Sequence, residues 1–539
     1  MFKKIFNTEF HTITGAAVVI GLSTLLSRLV GIVRDRLFAH YFGAGLVMDA
    51  YYASFKIPDF VYSLLIAGAL SSAFIPTFTK LFYNRENKSA AWRLANNIIT
   101  IIAVTLFVVA GLGIIFAPSM THLLFGGFPA KTGQLTAKFM RIMFISPFLL
   151  GISMVFGGVL QSLKQFFTYS LAPVFYNLGI IFGIIVFVPL LGPVGIAWGV
   201  VLGAFLHLTI QTTGAYASGF RWRWTFDLAD PESRLVGKLM IPRTIGLAIT
   251  QINTIIFTIL ATLLTVGSVA VYNFANNLQA VPTGLVAIPF ALAVFPVLSS
   301  FELPTDRAAF VKKVGETARQ ILFLMVPAMV LLILLRAQIV RVILGSGAFS
   351  WSATIATADA LAMFSLGLIG QALVPLLARA FYALSNTKTP FLIGIIAEAI
   401  SIIFALLLMH RFGVTGLALA GSIGITTNAL LLVYALRLRL GRLGGRSHFI
   451  FTLKIIGAAL GMGLAVQGLK YPLNSIFDLN HLGGIFLQGF IAGLIGIVIY
   501  GLLCHFLKVA EMTEFLQSFR KRWLKFWNIK EGIDEAEQL

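Results

Sequence analysis

The sequence predicts an all-α polytopic membrane protein of about 14 transmembrane helices. They form two six-helix lobes in parallel pseudo-repeat, plus two extra C-terminal helices. Three observations lead there. Of 539 residues, 58% are hydrophobic and only 11% charged, with a mean hydropathy of +0.92, outside the range of soluble domains. Apolar runs of about 18 residues or more recur along the chain, each long enough to cross a bilayer. Basic residues gather in alternate short connections, which is how orientation is written into a membrane protein.

The spans fall near 12–33, 47–78, 94–118, 136–160, 168–190, 194–216 and 239–264, then 268–298, 318–342, 354–383, 389–410, 414–436, 449–469 and 483–507. Bases follow the even-numbered spans: Lys80, Arg85, Lys88 and Arg93 after the second, Lys164 after the fourth, and Arg221, Arg223, Arg234 and Lys238 after the sixth. Arg307, Lys312 and Lys313 follow the eighth, Lys388 the tenth, and Arg437, Arg439, Arg442 and Arg446 the twelfth. The other connections carry mainly Lys131, Arg411 and Lys470. The positive-inside rule then puts both termini in the cytoplasm. Orientation therefore accounts for the net charge of +20, and no nucleic-acid partner is expected. The single cysteine, Cys504, excludes an intramolecular disulfide and a cysteine metal site. The eight histidines are scattered without ligand spacing, so neither metal nor cofactor is expected. Lys3 and Lys4 precede a long apolar segment without a small-residue cleavage site, as in an uncleaved first helix.

The chain repeats itself. AFIP at 73–76 returns as AVFP at 293–296, and GPVGIA at 192–197 returns as GVTGLA at 413–418. Two fragments at nearly one offset indicate duplication of a six-helix unit, and an even-numbered unit keeps its orientation, so the halves are parallel. The expected organisation is an N-lobe at 1–217, a cytoplasmic linker at 218–238 and a C-lobe at 239–440. Helices thirteen and fourteen follow at 441–508, then a cytoplasmic tail at 509–539. The tail contains SFRKRWLKFW at 518–527, a basic-aromatic segment suited to anionic membrane lipids.

Charge inside the first two spans is the main functional signal. Residues 27–76 carry Arg28, Arg34, Asp35, Arg36, Asp49, Lys56 and Asp59 between apolar runs. An ionised side chain at membrane depth costs roughly 2.5–3.5 kcal/mol on insertion scales, so it calls for partners or a wet cavity. For Arg36 and Asp59 a headgroup-level loop is an equal reading. Arg28 and Arg34 offer forked donors suited to phosphate oxygens. Six residues apart, they diverge on a regular helix, so both line one cavity only if the cavity is wide or the helix breaks, which Gly31 between them would permit. Asp35 is expected to orient Arg34 or close a gate. Asp49 and Lys56, seven apart, share a helix face as a pair or network, either structural or functional. In the eighth span Asn273, Asn276 and Asn277 line one face, with Gln279 nearby, as a polar cavity requires. Glu398, the only acid of the eleventh span, reads either as a site of ion or proton coupling or as a buried acid bonded to a neighbouring helix. Asp359 is expected near an interface.

The order SRLVGIVRD, FGAG, DAYY, FKIP and GALSSAFIP over these fifty or so residues resembles the MviN/MurJ family of lipid II flippases. That family belongs to a superfamily of multidrug, oligosaccharide-lipid and polysaccharide exporters. The resemblance implies alternating-access export of a polyprenyl-diphosphate-linked glycan for cell-wall synthesis, across the bacterial cytoplasmic membrane. It also implies the cell-wall synthesis machinery as a partner, and coupling to the membrane potential or a monovalent cation. It makes Arg28 and Arg34 cavity arginines of helix one, and Asp49 and Lys56 charged positions of helix two. It gives helices thirteen and fourteen a groove for the polyprenyl tail, although their glycines permit close packing equally well. The chain departs from the family at Tyr62 and Ala67, where an arginine and an acid are usual, and at Asn277 and Ala280, where helix eight carries such a pair. Another polyprenyl-linked glycan is therefore the alternative substrate. Drug export fits poorly with a basic cavity, and an enzyme would need a metal-binding or paired-carboxylate motif that the sequence lacks. Cysteine placed at Gly192 or Gly413 should label from outside the cell, and cysteine at Lys164 or Arg442 should not. The reverse pattern at either pair would overturn the helix count.

Overall fold

The computed structural model describes residues 13–64, 73–84, 88–302, 305–441 and 445–517, and these are almost wholly helical, with no strand among them. In chain order the helices are α1 Ile13–Phe42, α2 Leu46–Tyr62, α3 Ile75–Tyr83, α4 Lys88–Leu124, α5 Ala130–Met143, α6 Ile145–Ser162, α7 Phe166–Phe182, α8 Val188–Leu191 and α9 Gly195–Ala217. Then follow α10 Pro231–Thr262, α11 Ser268–Pro282, α12 Ile288–Ser299, α13 Arg307–Leu334, α14 Arg336–Leu344, α15 Trp351–Leu366, α16 Leu368–Ala383, α17 Lys388–Leu440, α18 Gly445–Ile476 and α19 Leu482–Phe506. Ala67, Arg442 and the segment 518–527 lie outside the described residues.

Eight helical stretches among the described residues are long and apolar enough to cross a membrane, nine when the bent pair α15–α16 is taken as one span. Two are double length: Phe166–Ala217 has 52 residues and Lys388–Leu440 has 53. At 1.5 Å per residue each would extend roughly 80 Å, more than twice the hydrocarbon core. Each therefore folds back on itself, and the turns are the repeated glycines. Gly192 has φ +66° and ψ −157°, and Gly413 has φ +56° and ψ −136°, a region closed to side-chain-bearing residues. The repeat read from GPVGIA and GVTGLA is thus also a repeat of backbone conformation. Leu191 and Phe412, both exposed, are unstrained labelling positions beside these turns.

Large apolar side chains face outward along these helices. Leu123 is 82% exposed, Leu464 78% and Phe107 70%, a surface suited to lipid and not to water.

The chain divides into two compact units. The first comprises Met1–Phe274, Ile343–Thr357 and Ala405–Leu417. Its core gathers Phe74, Phe78, Leu94, Ile98, Phe156 and Phe220 around α3, α4 and α6. The second comprises Ala275–Val342, Ala358–Phe404 and Ala418–Leu539. There Phe310, Ile321, Leu376 and Leu432 form one core, and Phe323, Ile455, Met462 and Tyr500 join α13, α18 and α19 in another. The last two helices are thus packed onto α13. The boundary between the units falls inside α11.

The segment expected as a linker at 218–238 is shorter. Pro231 opens α10, and the Asp230 carboxylate caps it by accepting from the Ser233 amide at 2.9 Å. The stretch before it is fastened to α4. Asn96 donates to the Arg221 carbonyl at 3.2 Å and accepts from the Arg223 amide at 2.8 Å. Asn97 does the same with Asp227, at 2.7 and 2.8 Å. Two side-chain amides thus stand in for a neighbouring strand.

Candidate functional site

α1 runs unbroken from Ile13 to Phe42. The break that Gly31 would permit is absent; the closest approach to that glycine is Asn177 Oδ1, 4.0 Å from where a Cβ would stand. Continuous helix carries Arg34, Asp35 and Arg36 as well as Arg28, so Arg36 is not in a loop. Asp59 is likewise helical, within α2.

Ser23, Ser27 and Arg34 share the face of α1 turned to α7. The Ser170 hydroxyl donates to Ser23 Oγ at 2.9 Å. Asn177 Oδ1 accepts from Arg34 Nη1 at 2.9 Å while its Nδ2 reaches Ser27 Oγ at 3.5 Å. Arg34 donates Nε and Nη2 to one oxygen of Asp35, at 3.0 and 2.7 Å, and its guanidinium lies 5.9 Å from the Phe38 ring centroid. Asp35 thus holds the Arg34 guanidinium from the next position of the same helix. Arg28 stands on a different face, and no side-chain hydrogen bond or ion pair links it to any described residue; its Nε is buried without a partner. Among the described residues one arginine is held and the other has no side-chain partner.

Asp49 and Lys56 do not pair with each other; both are taken by α11. Asp49, 2% exposed, accepts from the backbone amides of Gly267 and Ala270, the latter at 2.8 Å. It is a capping carboxylate supplied from another helix, where the helix dipole favours negative charge. Gly267 makes this approach possible: its φ is +95°, and a Cβ there would meet the Ala44 carbonyl oxygen at 2.4 Å. One turn into α11, Asn273 Oδ1 accepts from Lys56 Nζ at 3.1 Å, and Asn273 Nδ2 donates to the Val269 carbonyl at 2.7 Å. Asn273 is thus committed to Lys56. Asn276 and Asn277 belong to the second unit; both are half-buried, and Asn276 Oδ1 accepts from Gln279 Nε2 at 3.2 Å.

Beside these charges the first unit encloses a cavity of 210 Å³ lined by Asp59, Tyr62, Ser146, Tyr176 and His207 among apolar groups. The Asp59 side chain makes no hydrogen bond or close ion pair with a described residue. The buried His207 is held through Nδ1 by the Ser153 hydroxyl at 2.7 Å. Sequence reasoning passed over Asn177, Tyr176 and His207; the available signal was the run of polar residues in otherwise apolar spans six and five. In the second unit Glu398 is half-buried in α17, and its side chain hydrogen-bonds to no described residue. Asp359 is 48% exposed on its side chain and pairs with Arg336 at 3.5 Å.

The fold is that of a transporter. A solved MATE-family multidrug transporter of the MOP superfamily, in an inward-facing conformation, superposes with a TM-score of 0.64 at 16% identity, covering 80% of this chain and 99% of that one. A solved lipid II flippase MurJ, in an inward closed conformation, superposes with a TM-score of 0.75 at 24% identity, covering 91% and 99%. The chain belongs to the lipid II flippase MurJ family, whose sequence profile matches residues 38–482. It is 29% identical over 437 residues to the probable lipid II flippase MurJ of Vibrio cholerae, covering 79% of this chain and 83% of the relative. It is also 29% identical over 446 residues to the lipid II flippase MurJ of Burkholderia cenocepacia, covering 81% and 86%. The chain is therefore a membrane transporter and not a catalytic enzyme.

Removing the Asp49 cap should cost on the order of 1–2 kcal/mol. Asp49→Ala should lower the thermal unfolding midpoint of the purified protein, and Asp49→Asn, which keeps an acceptor, should lower it less. Equal midpoints for both variants and wild type would refute the cap.

Proposed function

We propose that this chain exports lipid II, or a closely related polyprenyl-diphosphate-linked glycan, from the inner to the outer leaflet of the bacterial cytoplasmic membrane by alternating access. Family membership supports the substrate class, and one observation carries the chemistry: Arg34, clamped by Asp35 and Asn177, sits on the same helix as the unengaged Arg28. A fixed guanidinium and a free one are what a cavity needs to receive phosphate oxygens without being neutralised beforehand. The fourteen-span topology with both termini inside places the basic connections in the cytoplasm. Neutral groups at Tyr62 and Asn277 favour a related glycan as the second reading, since they replace charges with hydrogen-bonding groups suited to sugar hydroxyls.

No nucleotide-binding loop occurs in the sequence, so the energy comes from the membrane. Carrying two negative charges out of a negative interior gains on the order of 4–5 kcal/mol at 100 mV. Glu398 then serves the return of the empty carrier by binding a monovalent cation.

In a strain depleted of its own lipid II flippase, wild type should restore growth while Arg28→Ala and Arg34→Ala should not, at equal protein levels. Lysine should rescue only partly, because a point charge lacks the fork. Growth with both alanine variants would overturn the cavity chemistry.

Collapsing the potential in substrate-loaded vesicles should trap substrate inside, and Glu398→Gln should slow turnover more than it weakens binding. Undiminished transport in de-energised vesicles without ion gradients would exclude this coupling.

A further inference from the structure

The second unit holds a basic cavity of 390 Å³, far along the chain from the charged helices α1 and α2. That size is within the roughly 300–1,000 Å³ typical of small-ligand sites. Arg319 of α13, Ser447, Phe451 and Lys454 of α18, and Lys508 in the turn after α19 line it. Arg319 is built in: its guanidinium lies 4.6 Å from the Phe451 ring centroid, and its Nε faces the buried Glu511 carboxylate at 2.5 Å. Glu511 offsets Arg319 alone. The side chains of Lys454 and Lys508 form no hydrogen bond or ion pair with any described residue, so two positive charges stand uncompensated around one cavity. Lys508 also holds a left-handed backbone, φ +53°, where glycine would sit with less strain.

The surroundings identify the ligand. Lys312 and Lys313 lie toward the same end of α13, and Phe449 and Leu453 on α18 are 66% and 54% exposed. A basic, hydrogen-bonding hollow bordered by outward apolar side chains fits a phosphate attached to hydrocarbon chains. We propose that this cavity binds the phosphate head of an anionic phospholipid resident in the leaflet on that side of the membrane. The same phosphate chemistry is present in a polyprenyl diphosphate, and the test separates the two.

Full-length protein in detergent is given phosphatidylglycerol or phosphatidylcholine with the same acyl chains, and retained lipid is counted by native mass spectrometry. Wild type should prefer phosphatidylglycerol, and Lys454→Gln with Lys508→Gln should reduce its retention on the order of tenfold. Lys312→Gln with Lys313→Gln removes the same charge outside the cavity and should leave the preference standing. Thermal unfolding without added lipid should match between wild type and the cavity variant, since neither cavity lysine side chain has a described partner to lose. Unchanged retention in the cavity variant, or equal loss in both variants, would overturn the site. Added polyprenyl diphosphate should fail to displace phosphatidylglycerol. Displacement would reassign the cavity to the diphosphate-linked class and overturn the resident phospholipid. This outcome is independent of transport, so it stands apart from the complementation test.

Discussion

A carboxylate that is 2% exposed among apolar helices must find donors or lose its charge, and the position of α11 follows from how Asp49 finds them. Unpaired, it would cost several kcal/mol. The open end of α11 supplies two backbone donors and the positive end of a helix dipole, which meets that need without a basic side chain. The close approach then demands a glycine at position 267, and it sets Lys56 opposite Asn273 one turn further on. Two charges in α2 are thereby satisfied by one helix and need nothing from each other.

The α1 charges follow a different logic. Asp35 and Asn177 occupy most of the donor edge of Arg34, so its orientation is fixed before any ligand arrives. Losing Asp35 would leave a largely buried guanidinium underpaired, at a cost on the order of 3 kcal/mol. The Arg28 side chain has no such partner among the described residues. Binding an anion at a fixed group loses little side-chain entropy.

Span positions were legible in the sequence because hydropathy and the positive-inside bias act along the chain: the predicted 194–216 and 268–298 meet helices Gly195–Ala217 and Ser268–Pro282 with Ile288–Ser299. The GPVGIA and GVTGLA turns were legible for the same local reason. The partners of the charges were not. Asp49 and Lys56 share a helix face by spacing, but their bonds go to residues more than 200 positions away, and helical spacing carries no information about that. Asn177 was hidden because one amide in an apolar run has many uses. The end of the linker was misplaced because Asp230-Pro231 is a helix start that the following charges disguised.

The donors that hold Asp49 belong to the main chain. Every amino acid except proline carries the same amide, so the hydrogen bonds to Asp49 do not depend on which side chains the first turn of α11 carries, although those side chains are themselves buried. Only proline at position 270, or a side chain forced onto the φ of Gly267, removes it. A search for residue pairs that vary together would pass over this contact, since one partner has no side chain to vary. The joint is thus robust to drift on one side and wholly dependent on a single carboxylate on the other.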